Sequence, residues 1–132
     1  MNIMKSKVEI SVVIPVYNNS GSLEELTLRL IATLSAISRS YEIIYVNDGS
    51  RDNSLTVLRK LATTSASIKV LSLSKNYGQH PAICAGFEHS TGEYTVLMDA
   101  DLQDPPEGIE ALTAKLKSSE ADIVYSVKNS VE

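Results

Sequence analysis

Residues 10–19 read ISVVIPVYNN, a run of branched apolar residues that ends abruptly in a polar turn. Apolar side chains occupy consecutive positions rather than alternate ones, which is typical of a strand that helices cover on both faces. Four further runs rich in β-branched residues follow, at 41–47, 68–73, 94–99 and 121–127. These five runs predict the strands of a mainly parallel sheet.

The segments between the runs have the spacing of helices. Leucines at 23, 26, 30 and 34 form one apolar stripe with the isoleucine at 37, and Ser22 with Glu25 has capping-box spacing at its start. A second stripe covers 55–62, Pro81 suits the first turn of a third helix that runs to about His89, and a fourth helix begins at Pro106. The strict alternation of strands and helices predicts a doubly wound α/β fold in one domain, residues 1–132.

Composition narrows the classes of function. The 132 residues are 43% hydrophobic and 21% charged, as in ordinary globular domains, and the net charge of -4 disfavours nonspecific binding to nucleic acid. A single cysteine, Cys84, permits no internal disulfide, which fits a reducing compartment. No apolar run approaches the roughly 18 residues of a membrane span, so a soluble cytoplasmic domain is expected.

The polar clusters of the sequence follow the ends of the predicted strands. Ligands of open α/β sheets bind beyond the carboxyl ends of the strands, beside the point where the strand order reverses. With the strand order 3-2-1-4, this point brings Tyr17 close to Asp99 and Asp101, and it leaves Asp48 one strand away. The predicted site then offers an aromatic face, a carboxylate that accepts from a base or sugar hydroxyl, and a carboxylate pair for a cation.

The charge of this region predicts a divalent cation. Between Lys75 and Lys115 the chain has no lysine or arginine. The acidic residues in the same interval are Glu88, Glu93, Asp99, Asp101, Asp104, Glu107 and Glu110. A diphosphate would be repelled there unless a hard ion bridged it to the aspartates, and Mg²⁺ uses only one or two protein carboxylates in this way. The side chain of Gln103, two residues beyond Asp101, could supply a further oxygen.

Four motifs resemble the family-2 glycosyltransferases with the GT-A fold. They read IPVYN at 14–18, VNDGS at 46–50 with Asp52, NYGQ at 76–79 and MDADLQDPPE at 98–107. The pattern is most similar to the polyprenyl-phosphate glycosyltransferases, of the dolichol-phosphate mannose synthase and bactoprenol glucosyltransferase type, and it covers Ile10 to about Lys128. A lone D-x-D motif is weak evidence, whereas four motifs in this order, each after a predicted strand, are specific.

The resemblance implies roles for individual residues. Asp48 would hydrogen-bond the base. Asp99 would face the ribose or the metal, Asp101 and Gln103 would bind Mg²⁺ or Mn²⁺ on the diphosphate, and Asp99 and Asp101 would be the catalytic residues. The nucleotide contacts that it implies are Pro15, Tyr17, Asn18, Asp48, Asp52, Asn76, Gly78, Asp99 and Ala100. Many relatives have an acidic residue just after the asparagine of the first loop, where this chain has Asn19 and Ser20.

The resemblance also implies an activity. Such enzymes invert the sugar as they transfer it from a UDP- or GDP-sugar to a lipid phosphate, at the cytosolic face of the membrane. Relatives continue past the fifth strand into an acceptor-side segment, amphipathic helices and often membrane spans, whereas this chain ends at Glu132. We therefore expect the N-terminal, nucleotide-binding half of a truncated GT-A domain, with little or no transfer activity. Its exposed fifth strand predicts self-association as a homodimer.

Structural readings of the same residues stay open at this point. Asp99 and Asp101 are residues that commonly cap a following turn, Asp52 is favoured as a helix N-cap, and Tyr17 and Tyr77 could be a surface aromatic and a turn residue. A dinucleotide-dependent oxidoreductase would need the motif G-x-G-x-x-G after strand one, and a nucleotidyltransferase would need a basic, glycine-rich loop there. A receiver-type phosphorylation module would need an acidic pair after strand one. The loop after strand one reads PVYNN and has none of these features. The remaining alternative is a nucleotide-binding or interaction module without turnover.

Overall fold

The computed structural model describes residues 8–124, which form an α/β fold around one parallel sheet. The strands are β1 (Ile10–Val16), β2 (Tyr41–Asn47), β3 (Ile68–Ser72) and β4 (Tyr94–Leu97). Their order in the sheet is β3-β2-β1-β4, and every neighbouring pair is parallel. The predicted strand order and its reversal between β1 and β4 are therefore confirmed.

Four helices cover the two faces of this sheet. They are α1 (Leu23–Ile37), α2 (Ser54–Thr64), α3 (Gln79–His89) and α4 (Ile109–Ser118), the last preceded by a 3-10 turn at Pro106–Gly108. The larger apolar cluster joins α1, α2 and α4 to one face, and the smaller joins α3 to the other. The doubly wound arrangement is confirmed. No helix between residues 8 and 124 is long and apolar enough to cross a bilayer.

The central strand β1 explains why its apolar residues are consecutive. Val12 and Ile14 belong to the cluster under α1, whereas Val13 points to the opposite face and packs with Ala82 of α3. All of these side chains are fully buried. Gly86 brings α3 very close to the sheet, because a Cβ atom at this position would lie 2.3 Å from a methyl carbon of Val13.

Several predicted boundaries are wrong or incompletely covered. The third and fourth strands end at Ser72 and Leu97 instead of residues 73 and 99, since the chain turns into the loops that follow. The third helix, by contrast, has Pro81 in its first turn and ends at His89, as predicted. Residues 121–124 of the predicted fifth strand are not in a strand, and residues 125–127 lie outside the described residues.

The predicted capping box at α1 is also wrong. The hydroxyl of Ser22 donates to the carbonyl oxygens of Ala100 (2.6 Å) and Asn19 (3.2 Å), and it makes no cap bond to the backbone of α1. The reason is tertiary, because the start of α1 packs against the loop after β4, which offers the hydroxyl a carbonyl at short range.

A buried carboxylate, Glu42, ties the amino ends of the strands together. One of its oxygens accepts from the hydroxyl of Ser11 (2.6 Å) and from the backbone N–H (2.7 Å) and hydroxyl (3.0 Å) of Thr91, and the other accepts from the Lys69 ammonium (2.5 Å). Burial raises the pKa of Glu42, but the bonds from Lys69, Ser11 and Thr91 outweigh it and hold the pKa at about 2. The network joins β1, β2 and β3 to the turn before β4.

Candidate functional site

A cavity of about 370 Å³ opens at the carboxyl end of the sheet, where the strand order reverses. Its position is the one that open α/β sheets use for ligands, and its size is within the range of small-molecule sites. The residues that line it are Pro15, Val16, Tyr17, Asn19, Asp48, Asn76, Gly78, Gln79, Asp99, Ala100 and Asp101.

Most of the predicted site residues meet at this cavity. The structure brings together Pro15, Tyr17, Asp48, Asn76, Gly78, Asp99, Ala100 and Asp101. Three other predicted residues, Asn18, Asp52 and Gln103, are not among those that line it. Sequence reasoning gave no ligand contact to Val16, Asn19 or Gln79, which do line it, although Val16 and Gln79 stand inside the quoted motifs and Asn19 directly follows one.

The side chain of Asn18 joins the first two loops instead of facing the cavity. Its side-chain oxygen accepts from the backbone N–H groups of Arg51 (2.8 Å) and Asp52 (3.3 Å). The backbone N–H of Asn18 donates to the Ser50 hydroxyl (3.0 Å). The residue has a φ of 54°, a region in which asparagine is tolerated better than most residues. Asn18 is thus placed to hold the loop shape on which the cavity depends.

Asp52 has the contacts of a residue that starts a helix. One oxygen accepts from the N–H of Ser54, the first residue of α2, at 2.9 Å, and the other accepts from the N–H of Ser20 at 3.3 Å. Burial raises the pKa of Asp52, but the hydrogen bonds from Ser54 and Ser20 lower it by more, so the net shift is downward. The N-cap position is Asn53, one residue later than predicted, but the favoured structural role of Asp52 fits these bonds.

Asp48 is buried and fastens one wall of the cavity. Its two oxygens accept from the backbone N–H groups of Tyr77 (2.8 Å) and Gly78 (3.1 Å), while its own carbonyl accepts from the side chain of Asn76 (3.2 Å). The next residue, Gly49, has a φ of +66°, and a Cβ atom there would lie 2.3 Å from the backbone nitrogen of Asn76. A carboxylate has about four acceptor sites, so Asp48 retains capacity for a base.

The two aspartates of the loop after β4 both line the cavity. Asp101 is exposed and accepts from the backbone N–H of Gln103 at 3.2 Å, so the turn-capping interpretation holds for one of its oxygens. The amide nitrogen of Gln79 lies 3.5 Å from an oxygen of Asp99. Ala100, between the two aspartates, is buried at 3% exposure, and Leu102, directly after Asp101, has a positive φ of 65°.

These oxygen atoms suit a hard divalent ion that a ligand would share. Within residues 8–124, no group of three or more histidine, cysteine, aspartate or glutamate side chains forms a metal cage. Asp99 and Asp101 supply two carboxylates, which is the usual protein contribution to a Mg²⁺ ion that also binds phosphate oxygens. The donor set therefore fits a Mg²⁺ or Mn²⁺ ion that a phosphate would share, and Gln103, the third predicted ligand, is not among the lining residues.

Aromatic residues flank the acidic rim. Tyr17 lines the cavity with 43% of its surface exposed, and its backbone N–H donates to the side chain of Asn19 at 2.9 Å. Tyr77 lies on the neighbouring loop, where the Lys75 ammonium is 5.1 Å from the centre of its ring. The hydroxyl of Tyr77 is 3.0 Å from the hydroxyl of Ser74. Tyr17 thus offers the cavity an open aromatic face, whereas the backbone of Tyr77 serves Asp48.

Relatives of known sequence place this geometry in a family. The model of glycosyl transferase family 2 matches residues 11–130. The undecaprenyl-phosphate 4-deoxy-4-formamido-L-arabinose transferase of Klebsiella pneumoniae subsp. pneumoniae is 46% identical over 93% of this chain and 36% of its own length. An uncharacterized glycosyltransferase of Synechocystis sp. is 42% identical over 93% of the chain and 38% of its own length. The chain spans about a third of the curated relatives it matches.

Solved structures show the same fold. A mannosyltransferase from Pyrobaculum calidifontis, in complex with GDP-Man and Mn²⁺, superposes with a TM-score of 0.73 at 23% identity, over 87% of this chain and 34% of that one. TarS of S. aureus, in complex with UDP-GlcNAc, superposes with a TM-score of 0.68 at 24% identity, over 84% of this chain and 32% of that one. At these identities the likeness establishes the GT-A fold alone, whereas the family model covers almost the whole chain. The chain therefore belongs to glycosyl transferase family 2.

Proposed function

We propose that the chain is the donor-binding part of a metal-dependent, inverting glycosyltransferase that uses a UDP- or GDP-sugar and a polyprenyl phosphate. The observation that carries the proposal is the convergence of Tyr17, Asp48, Asp99 and Asp101 on one cavity at the reversal of the strand order. Support for the acceptor comes from curated relatives named undecaprenyl-phosphate transferases. The chain spans about a third of their length, so the activity of the whole protein is part of the proposal.

The lining of the cavity offers groups suited to both parts of a nucleotide. The base would lie against Tyr17 within reach of Asp48, which keeps unused acceptor sites. The diphosphate would lie toward Asp99 and Asp101, where two carboxylates would repel it without a cation. The side-chain amide of Gln79 lies beside Asp99 in the lining, and it would help to orient that carboxylate. Asn76 and Gly78 would complete the wall around the nucleoside.

The chemistry follows from the charges of the reactants. The bond from the anomeric carbon to the donor diphosphate breaks, its electron pair leaves with the nucleoside diphosphate, and an oxygen of the acceptor phosphate forms the new bond. When bound, a divalent ion supplies charge neutralisation for the leaving diphosphate. Asp99 and Asp101 would hold that ion and orient the donor. An acceptor phosphate is already anionic near pH 7, so it needs less help from a general base than a sugar hydroxyl.

Location and assembly belong to the same proposal. A polyprenyl acceptor places the reaction of the whole protein at a membrane, and we assign it to the cytosolic face. Homodimerisation is supported by β4, which among the described strands pairs only with β1 and leaves Leu97 47% exposed. Unpaired edge strands promote association with another chain. A strictly monomeric light-scattering profile across concentration would count against the dimer.

The test is calorimetric titration of UDP and GDP with and without Mn²⁺. We expect Mn²⁺ to strengthen binding of at least one nucleotide, and Asp101→Asn to remove that gain, by about tenfold or 1.4 kcal/mol. Asp104→Asn is the matched control, because Asp104 stands in the same loop but is not among the lining residues, and it should bind as the unaltered chain does. Absence of binding at millimolar ligand, or an unaltered response in Asp101→Asn, would refute the proposal.

The second candidate is a nucleotide-binding module without turnover. A binding measurement alone does not separate it from the enzyme, because both would hold the nucleotide in the same cavity. Radiolabelled sugar transfer to undecaprenyl phosphate, measured on the chain once its nucleotide is known, distinguishes the two. Metal-dependent binding without labelled lipid product would assign the chain to the module, whereas labelled lipid would assign it to the enzyme.

A further inference from the structure

We propose that Ser22 is a positioning residue that sets the loop carrying Asp99 and Asp101 for the ion and the diphosphate, an inference that rests on the proposed function. Ser22 directly precedes α1 and belongs to a different element from that loop. Its hydroxyl lies 2.6 Å from the carbonyl oxygen of Ala100, the residue between the two aspartates. Ala100 is 3% exposed, so this hydrogen bond is sheltered from water at its acceptor end.

A bond to this carbonyl orients a carboxylate because the peptide group is planar. The oxygen of Ala100 and the nitrogen of Asp101 belong to one rigid unit, so holding the oxygen restricts the direction in which Asp101 leaves the backbone. On the other side of Asp99, the N–H of Met98 donates to the carbonyl of Val13 at 3.1 Å. The two bonds hold the loop on both sides of Asp99, one to β1 and one to the start of α1.

The loop needs such contacts, because its backbone is strained. Leu102 has a φ of 65°, a conformation that costs a residue with a Cβ free energy and persists only where the surroundings enforce it. The bond from Gln103 N–H to Asp101 closes the turn locally, but it does not connect the turn to the rest of the domain. The bond from Ser22 connects it to the start of α1.

The hydroxyl is not required for capping, which would be its ordinary role at this position. A serine has one O–H donor, and here it is directed to carbonyl oxygens, at 2.6 Å to Ala100 and 3.2 Å to Asn19. Asn19 also lines the cavity. Ser22 therefore connects the loop after β1 with the loop after β4, the two sides of the strand-order reversal.

The experiment is a titration of Mn²⁺ by electron paramagnetic resonance, with UDP and in parallel with GDP, on the full chain. Loss of the free Mn²⁺ signal beyond the loss caused by the same nucleotide without protein measures the ion in the protein–nucleotide complex, without any measurement of activity. Ser22→Ala removes the hydroxyl, Ser22→Thr keeps it, and Ser22→Cys replaces it by a weak donor. Ser90→Ala is the matched control, because its hydroxyl makes a similar 2.7 Å bond to the Phe87 carbonyl at the far end of α3.

We expect Ser22→Ala and Ser22→Cys to weaken Mn²⁺ binding in the nucleotide complex by about threefold to tenfold, the effect of one neutral hydrogen bond. Nucleotide binding without metal should change by less than about twofold. The bond from Ser22 holds only the loop proposed to carry the ion, and the groups proposed for the base lie on other loops. Ser22→Thr should restore Mn²⁺ affinity, and Ser90→Ala should bind Mn²⁺ as the unaltered chain does. A general loss of stability would instead lower binding with and without metal alike.

Two results would overturn the role of Ser22 alone. One is an unaltered Mn²⁺ affinity in Ser22→Ala when Asp101→Asn shows a clear loss. The other is an equal loss of Mn²⁺ affinity in Ser22→Ala and Ser22→Thr, which would indicate that packing at this position matters rather than the hydroxyl. If the unaltered chain shows no Mn²⁺-dependent nucleotide binding, or Asp101→Asn retains it, the proposed function fails and the role of Ser22 fails with it.

Discussion

Protonation of Glu42 is expected to remove a large part of the stability of the fold at acid pH. The carboxylate is 2% exposed, and it accepts four hydrogen bonds, from Ser11, from Lys69 and twice from Thr91. Its pKa in the folded chain is about 2, against 4.5 for an unperturbed glutamate. A folded pKa below the unfolded one stabilises the fold above about pH 4.5, and this contribution is lost as the pH falls toward 2.

The size of the effect follows from this difference in pKa. Each pKa unit corresponds to 1.36 kcal/mol, so a shift from 4.5 to about 2 gives at most about 3 kcal/mol at neutral pH. Roughly 2 kcal/mol of this should be lost between pH 6 and pH 3, where most of the unfolded but little of the folded chain is protonated. Lys69 is half-exposed, so solvent keeps the charge attraction well below that of a fully buried pair.

The assay compares urea unfolding of the unaltered chain and Glu42→Gln at pH 6, 5, 4 and 3. Glutamine has no carboxylate to protonate, so the variant lacks this dependence on pH. Its amide NH₂ group cannot accept the hydrogen bonds that Ser11 and Thr91 donate to the carboxylate, so the variant should be less stable at every pH. The difference in unfolding free energy should shrink by about 2 kcal/mol from pH 6 to pH 3. Glu88→Gln, on the exposed face of α3, is the control and should show little change. A difference for Glu42→Gln that does not vary with pH would refute the reasoning.

Two glycines carry further predictions about close backbone approach. Gly49→Ala forces a Cβ atom to 2.3 Å from Asn76 N at a φ of +66°, so we expect a loss of about 2 to 4 kcal/mol in urea unfolding together with weaker nucleotide binding. Gly86→Ala places a Cβ atom 2.3 Å from a Val13 methyl carbon, which should destabilise the fold by about 1 to 3 kcal/mol through overpacking. This loss should exceed the gain of about 1 kcal/mol in helix propensity, so the thermal midpoint should fall. Gly108→Ala is the control for both, because a Cβ atom there meets nothing within 4 Å. Stability equal to that of Gly108→Ala in either variant would contradict the corresponding contact.

The strands and helices follow from local patterns along the chain. Consecutive β-branched residues in β1 and β2 predict strands buried on both faces, and the spacing of the leucines predicts α1. Parallel strands joined by helices allow few arrangements, so the order of the sheet and the edge at which the loops meet could also be predicted. This is why Tyr17, Asp48 and Asp101 were expected in one site.

Contacts between loops could not be predicted in the same way. Asn18, Asp52 and Ser22 stand in or beside the motif loops, and their residue types alone suit both a ligand contact and a local cap. Only the folded chain shows that Asn18 and Asp52 bond neighbouring backbone, and that Ser22 bonds Ala100, 78 residues away along the chain.

Glu42 shows the same limit at the opposite end of the sheet. In the sequence it is a polar residue inside an apolar run, and the lysine that pairs with it, Lys69, is 27 residues away. Its partners come from β1, β3 and the turn before β4, up to 49 residues away. Residue type and spacing decide which segments become strands and helices, because those depend on neighbours along the chain. The partner of each polar side chain depends on which segments pack together, and that is decided only in the tertiary structure.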